Sequence, residues 1–363
     1  MSANPLNADC GHPSSGSGAD PVAVLVRRGD RIESVHRVAY AVADAGGALP
    51  HHEGDVRRPV FPRSSVKPLQ ALPLIESGAA ERFALGEQEL ALACASHGGE
   101  PMHTEIVAAW LARIGLDPSA LECGAHAPSH EPSAQRLIAQ GRSPSPLHNN
   151  CSGKHAGMLT LALHLGAPVA GYIAPDHPVQ QRISAALAAM SGARLTPSAI
   201  DGCGVPAHAI PLAGLATAMA RLADPGARFD QAGRAEACAR IRAAMAGHPL
   251  LVAGTGRACS LIMAAAPGVL VKTGAEGVYV AALPERGLGL ALKVADGAGR
   301  AAVVALMALL ARLGALDPTA AALGDLAAPL LRNHAGRLVG RVEPAPGWPS
   351  FDPPAAPDPR HQA

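Results

Sequence analysis

Short apolar segments of strand length stand at both ends of the chain, with helical patterning between them. Near the start, Val22 to Val26 and Val35 to Val42 flank Arg28-Gly29-Asp30, which predicts an opening β-hairpin. Near the end, Val269 to Lys272, Val278 to Leu283 and Leu288 to Val294 are separated by Gly-rich or Pro-Glu-Arg-Gly turns and read as antiparallel strands. One sheet built from the two termini, with helices on its faces, joins these pieces. The expected class is α/β in the broad sense, an α+β fold with an antiparallel sheet flanked by helices. At 363 residues the chain can bury a large core. We expect one domain over 21–343 with a helical insert, a disordered tail over 1–20 and a loose Pro-rich tail over 344–363.

The insert is read as helices over Glu87 to Cys94, Thr104 to Ile114, Pro132 to Ala139, a run beginning at His148 to His155, Val179 to Met190, Leu212 to Leu222 and Ala235 to Ala246. Gly299 to Leu313 closes the fold as another. Asp201-Gly202-Cys203-Gly204 reads as a loop. The apolar residues are 48% of the chain but aromatics only 2%, so the core must be built from Ala, Leu, Val and Ile.

The cations are written unevenly. Of 30 Lys and Arg, only Lys67, Lys154, Lys272 and Lys293 are lysine. Arginine stays protonated, whereas a lysine that is desolvated or set beside another cation becomes a neutral base near pH 7. Three of the four lie in Ser- or Gly-rich contexts: Ser64-x-x-Lys67, Ser152-Gly153-Lys154 and Lys272-Thr273-Gly274. The first precedes an apolar run through Leu72 and Ile75, predicted helical and closed by Gly78. A helix start at Ser64 or Ser65 puts Ser64 and Lys67 on one face, with first-turn N–H groups open to a developing anion. A start at Pro68 leaves that geometry open. Ser64 is the candidate nucleophile, Lys67 its base and Ser65 the alternative nucleophile, because serine needs a partner to take its proton. The plain reading is an N-cap serine with a surface lysine. Ser96 alone reads as a helix-end cap. Lys272 ends an apolar strand, where an idle amine is out of place, and Gly274 lets a ligand approach the backbone.

Charge is nearly balanced, 30 cations against 29 anions, with no basic stripe, so nucleic acid and anionic membrane are not expected partners. Ala301 to Ala311 stops at Arg312, too short to span a bilayer. Met1 to Asp20 lacks a charged start followed by an apolar run, which predicts no signal peptide. The seven cysteines are widely spread with no Cys-x-x-Cys, so a reducing cytoplasm and free thiols are expected. Cys151-x-x-Lys154 and Cys203 do not announce a metal site by spacing. Gly202-x-Gly204 and Gly254-x-Gly256 read as turns, not as a dinucleotide fingerprint.

In order along the chain stand Arg63-Ser-x-x-Lys67-Pro-x-Gln70, Ser96-His-x-Gly-Glu100, His148-Asn-Asn-Cys151-Ser-Gly-Lys154-His155, Asp201-Gly-Cys203-Gly-x-Pro206 and Lys272-x-Gly274-Ala-Glu-Gly277. As an ordered set these resemble the rhizobial-type L-asparaginase family, over about Val22 to Val342. The resemblance implies a fold like that of serine β-lactamases and DD-peptidases, in agreement with Ser-x-x-Lys and Lys-Thr-Gly. It implies two Ser–Lys pairs, Ser64 with Lys67 and Ser96 with Lys272. It also implies a zinc held by Cys151, Lys154 and Cys203, with Asp201 and His155 close by. Three protein ligands leave a position open.

The reaction implied is attack of Ser64 on the side-chain amide of L-asparagine, with hydrolysis of an acyl-enzyme to aspartate and ammonia. Arg63 or Asp201 would hold the substrate's α-carboxylate or α-amino group, with His155 and Gly274 in the binding site. A homodimer is expected. A β-lactamase or peptidase-like serine acylase is the competing enzyme reading, and a zinc- or ligand-binding scaffold without turnover the non-enzymatic one.

Overall fold

The computed structural model describes residues 19–195, 197–226 and 232–353. Eight strands form the main sheet: β1 Val22–Arg28, β2 Arg31–Asp44, β3 His51–Glu53, β4 Leu270–Gly274, β5 Val278–Leu283, β6 Leu288–Val294, β7 Leu330–Arg332 and β8 Leu338–Pro344. Their order is β7-β8-β1-β2-β6-β5-β4, with β3 paired to β2, and every pairing is antiparallel. The N-terminal hairpin thus sits inside the sheet between C-terminal strands, as the distribution of apolar segments predicts. All six residues of β5 are buried, so both faces of the sheet are covered there.

The helix Leu212–Ala223 lies against β2, β5 and β6. Its contact is close at Gly289 of β6, where an added Cβ would stand 2.1 Å from Ala220 N and 2.2 Å from Ala216 O. The helix Gly299–Arg312 packs on β1, β5, β6 and β8. Helices at Glu87–Ala93, Pro101–Arg113, Glu131–Ala139, Ser152–Leu165, Pro178–Ser191 and Ala232–Gly247 fill the insert where the apolar periodicity places them. Among the described residues no helix is long and apolar enough to cross a membrane.

Three expectations need correction. The run from Ser64 to Gly78 is not one helix. It is a 3₁₀ turn over Arg63–Val66, then α1 Lys67–Gln70 and α2 Leu72–Glu76. Pro68 and Pro73 each stand in the first turn of their piece and lack the N–H a continuous helix would use. Gly78 does stop the run, with φ of 81°. Secondly, β7 and β8 were not expected, because β7 is mostly exposed, β8 is mostly half-buried with one buried residue, and neither carries apolar alternation.

Thirdly, the C-terminal tail begins later than Pro344, which closes β8. Ala345 N donates to Ala23 O at 2.8 Å, Trp348 meets Tyr40 edge-on at 5.7 Å, and Phe351 stacks on His51 at 4.1 Å. Burial of these two rings in an aromatic-poor chain holds the segment down. At the other end, Asp20 is buried, accepting from Asp55 N and pairing with Arg58, each at 3.1 Å. The rest of both predicted tails, 1–18 and 354–363, lies outside the described residues.

Replacing Gly289 by Ala must push the helix Leu212–Ala223 off the sheet. A loss of about 1–3 kcal/mol is expected, read as a drop of a few degrees in Tm with the circular dichroism spectrum unchanged.

Candidate active site

Lys67 opens α1 with its side chain buried, and its Nζ reaches Ala95 O at 2.6 Å, Ser96 Oγ at 3.0 Å and Asn150 O at 3.4 Å. These acceptors lie in two loops, one after the helix Glu87–Ala93 and one before the helix Ser152–Leu165. Lys272 comes from β4 on the opposite side. Its Nζ stands 2.8 Å from Ser96 Oγ and 3.1 Å from Thr273 O. One serine hydroxyl is therefore held between two amines, all three groups buried. Burial, and then the neighbouring Lys67, bring the Lys272 amine down to about 7.

Ser64 lies half-buried in the 3₁₀ turn, and its hydroxyl has no hydrogen-bond partner among the described residues. The Lys67 amide donates to the Ser64 carbonyl, and residues three apart in a 3₁₀ turn share an edge. Arg63 starts this turn at φ of 52°, a left-handed conformation costly for a residue with a Cβ. Two contacts hold it there. Arg63 Nε donates to Asp201 Oδ1 at 2.7 Å, and Gly274 at the end of β4 lies so near that a Cβ would stand 2.3 Å from Pro62 O. Ser65, the alternative nucleophile, is fully buried and donates to Pro62 O at 2.7 Å, which makes it part of the turn's frame. Burial pushes the Asp201 carboxyl up, but Arg63, the Gly202 N–H and Lys154 outweigh it and hold it below the usual carboxylate range.

Beside this tandem lie Cys151, Lys154 and Cys203, all buried. Lys154 Nζ is 3.0 Å from Cys203 Sγ. The hydrogen bond between the two thiols, with Lys67 and Lys154 near, holds Cys151 well below the usual thiol range and, with burial, pushes Cys203 up. Burial pulls the Lys154 amine down, but Cys203 and Cys151 outweigh it and raise it. The two sulfurs are donors zinc prefers, and the Lys154 amine beside them is an uncommon third. Among the described residues no three His, Cys, Asp or Glu side chains are placed to hold a metal, so a site here needs Lys154 as its third donor.

A family model described as L-asparaginase II matches residues 24–344. The chain belongs to the L-asparaginase II family. No curated protein matches it at a significant level. Among solved structures, Mglu in its native form is similar at 16% identity with a TM-score of 0.45, over 78% of this chain and 66% of that one. The chain thus spans just under two thirds of the length of Mglu. A β-lactamase (Mb2281c) from Mycobacterium bovis is similar at 13% identity and a TM-score of 0.37, over 76% of this chain and 94% of that one. Likenesses this remote carry no inference.

In this L-asparaginase II family member the segments read as motifs do converge, with one change of partner. Ser96 does not act as a helix cap. It joins the two amines, while among the described residues no side-chain hydrogen bond links Ser64 to Lys67. His155 is fully buried, and its Nδ1 meets Tyr172 Oη at 2.6 Å. Tyr172 Oη also accepts from Glu122 N at 2.9 Å, and His155 Nε2 is buried without a hydrogen-bond partner among the described residues. His97 and Asn150 stand inside the motif segments, which assign them no role. His97 Nδ1 accepts from Gly99 N at 3.2 Å, which leaves Nε2–H to donate to Ser152 at 2.9 Å. Asn150 O receives both His97 N and Lys67 Nζ. Only the adjacency of His97 to Ser96 could have flagged the first, and nothing in the sequence signals a backbone carbonyl.

A buried lysine with a depressed value takes up a proton on unfolding between its folded and ordinary values, so stability rises with pH in that window. Comparing the parent with Lys272→Met, the difference in Tm should move in the parent's favour as pH goes from 7 toward 10. A difference independent of pH would show that Lys272 is an ordinary ammonium.

Proposed function

We propose that this chain hydrolyses the side-chain amide of L-asparagine to L-aspartate and ammonia, with Ser64 as nucleophile and Lys67, Ser96 and Lys272 as its proton relay. The observation that supports this most is the Ser96 hydroxyl held between two buried amines, at 3.0 and 2.8 Å, in a member of the L-asparaginase II family. A neutral Lys272 accepts the Ser96 proton while Ser96 accepts one from Lys67. Lys67 is then uncharged beside Ser64 and takes its proton as Ser64 Oγ bonds to the amide carbon. The C–N bond breaks, ammonia leaves with a proton returned by the relay, and water hydrolyses the acyl-enzyme. Ser64 is chosen over Ser96 by exposure, since Ser96 is 4% exposed and Ser64 lies half-buried.

The Arg63–Asp201 pair is complementary to the ends of a zwitterionic amino acid, Arg63 to the α-carboxylate and Asp201 to the α-ammonium. Cys151, Lys154 and Cys203 would hold a zinc ion, which when bound supplies a Lewis-acid charge beside the site. To accept it, Lys154 and both thiols must be free of protons, so affinity should rise with pH.

Ammonia release from asparagine and glutamine, with a chromogenic β-lactam in parallel, tests the reading. Ser64→Ala should lose roughly 10³-fold or more in kcat with the fold intact. The parent's kcat/KM should climb as pH rises through about 7, where Lys272 becomes a base. Wild-type-like ammonia release by Ser64→Ala removes Ser64 from the mechanism, and turnover of the β-lactam alone favours the acylase reading. For the metal, Cys151→Ser should lower zinc per chain by elemental analysis. Unchanged content would exclude these ligands.

A further inference from the structure

A cavity of about 390 Å³ opens away from the Ser–Lys site, between the helices Pro101–Arg113 and Glu131–Ala139 and the loop 142–148. Its walls carry two guanidiniums, Arg136 and Arg142, and one carboxylate, Glu105. None of the three forms an ion pair among the described residues, and Arg142 reaches only the Gln140 amide oxygen at 3.4 Å. The volume falls in the range of small-molecule sites. Two cations and one anion facing one concave space are the charge inverse of two carboxylates and one ammonium. Arginine pairs with carboxylate through two parallel hydrogen bonds.

We propose that this cavity is a second binding site, for an acidic α-amino acid, with Arg136 and Arg142 taking its carboxylates and Glu105 its ammonium. The walls also include Gly99 and His148, which belong to the two loops holding the Ser–Lys site together. Gly99 follows Ser96 and His97. His148 leads to Asn150, whose carbonyl receives Lys67 and the His97 amide. Ser133, a third wall residue, bonds His130 at 2.8 Å, and the His130 amide donates to Gly98 O. An occupant therefore bears on both loops. L-aspartate, the product of the proposed reaction, has the required charges. That its binding lowers turnover rests on the amidohydrolase reading, whereas binding itself does not.

Calorimetric titration of the full chain with L-aspartate, L-glutamate and succinate tests the site. The parent should bind L-aspartate, and Arg136→Ala and Arg142→Ala should each weaken this component by about tenfold or more. Glu105→Gln should weaken L-aspartate but not succinate, which lacks the ammonium. Equal L-aspartate isotherms in the parent and the double arginine variant overturn the site, as does succinate binding to the parent as tightly as L-aspartate. Unchanged Tm in the variants confirms that folding is not the cause. In turnover assays, L-aspartate should lower kcat in the parent and leave it unchanged in the double variant. If no ammonia is released at all while binding follows the pattern above, the amidohydrolase reading fails and the site stands.

Discussion

Everything in the site turns on placing two amines within hydrogen-bond reach of one hydroxyl, away from water. Two ammonium ions so placed would repel in a medium that screens poorly, and a buried unpaired charge is costly. The structure meets this in two ways. Lys67 has three oxygen acceptors around its Nζ, as many as an ammonium has hydrogens. Lys272, which has Ser96 and one carbonyl, is the amine whose proton affinity falls. Arginine at either position would stay charged and defeat the arrangement. This gives a physical sense to the chain's use of lysine. Lys67, Lys154 and Lys272 are buried in one region, and 26 of the other cations in the chain are arginine.

The fold's task is then to hold distant segments in register. β4 brings Lys272 at one edge of the sheet, and the insert helices bring Lys67 and Ser96 from the other side. The seam between them is the turn at Pro62 and Arg63. Arg63 adopts a backbone conformation it would avoid in isolation, held by Asp201 and by the close approach of Gly274. Strain at this point presents Ser64, the second residue of the turn, with a hydroxyl that has no hydrogen-bond partner among the described residues.

Local patterns made much of this legible. The apolar runs of β4, β5 and β6 and the helices of the insert stand where periodicity places them, because each buries a continuous face. β7 and β8 were hidden because β7 is mostly exposed and β8 buries a single residue, Val342. The tail around Trp348 and Phe351 was hidden by prolines that suggest looseness, while two rings supply the anchorage. In the site, lysine scarcity and serine context pointed to segments that the fold brings together. The partner exchange, Lys67 to Ser96 and not to Ser64, could not be read, since it depends on where a loop after the helix Glu87–Ala93 returns in space. The same holds for His97 and for the carbonyls of Ala95 and Asn150, which bond through atoms common to every residue.

The thiol cluster and the Ser–Lys tandem, far apart along the chain, are neighbours in space. His97, next to Ser96, bonds Ser152, next to Cys151. Electrostatically the two are one unit. Cys203 and Cys151 raise the proton affinity of the Lys154 amine against its burial, and Arg63 pairs with Asp201. What remains is an excess of positive charge on the Lys67–Lys272 side, which the depressed value of Lys272 limits but does not cancel. A site arranged in this way favours negative charge developing on a bound carbonyl more than it favours the neutral ground state. Burial first, and then the neighbouring Lys67, lower the affinity of Lys272 for its proton, so the base the proposed reaction needs arises from the same packing that keeps water out.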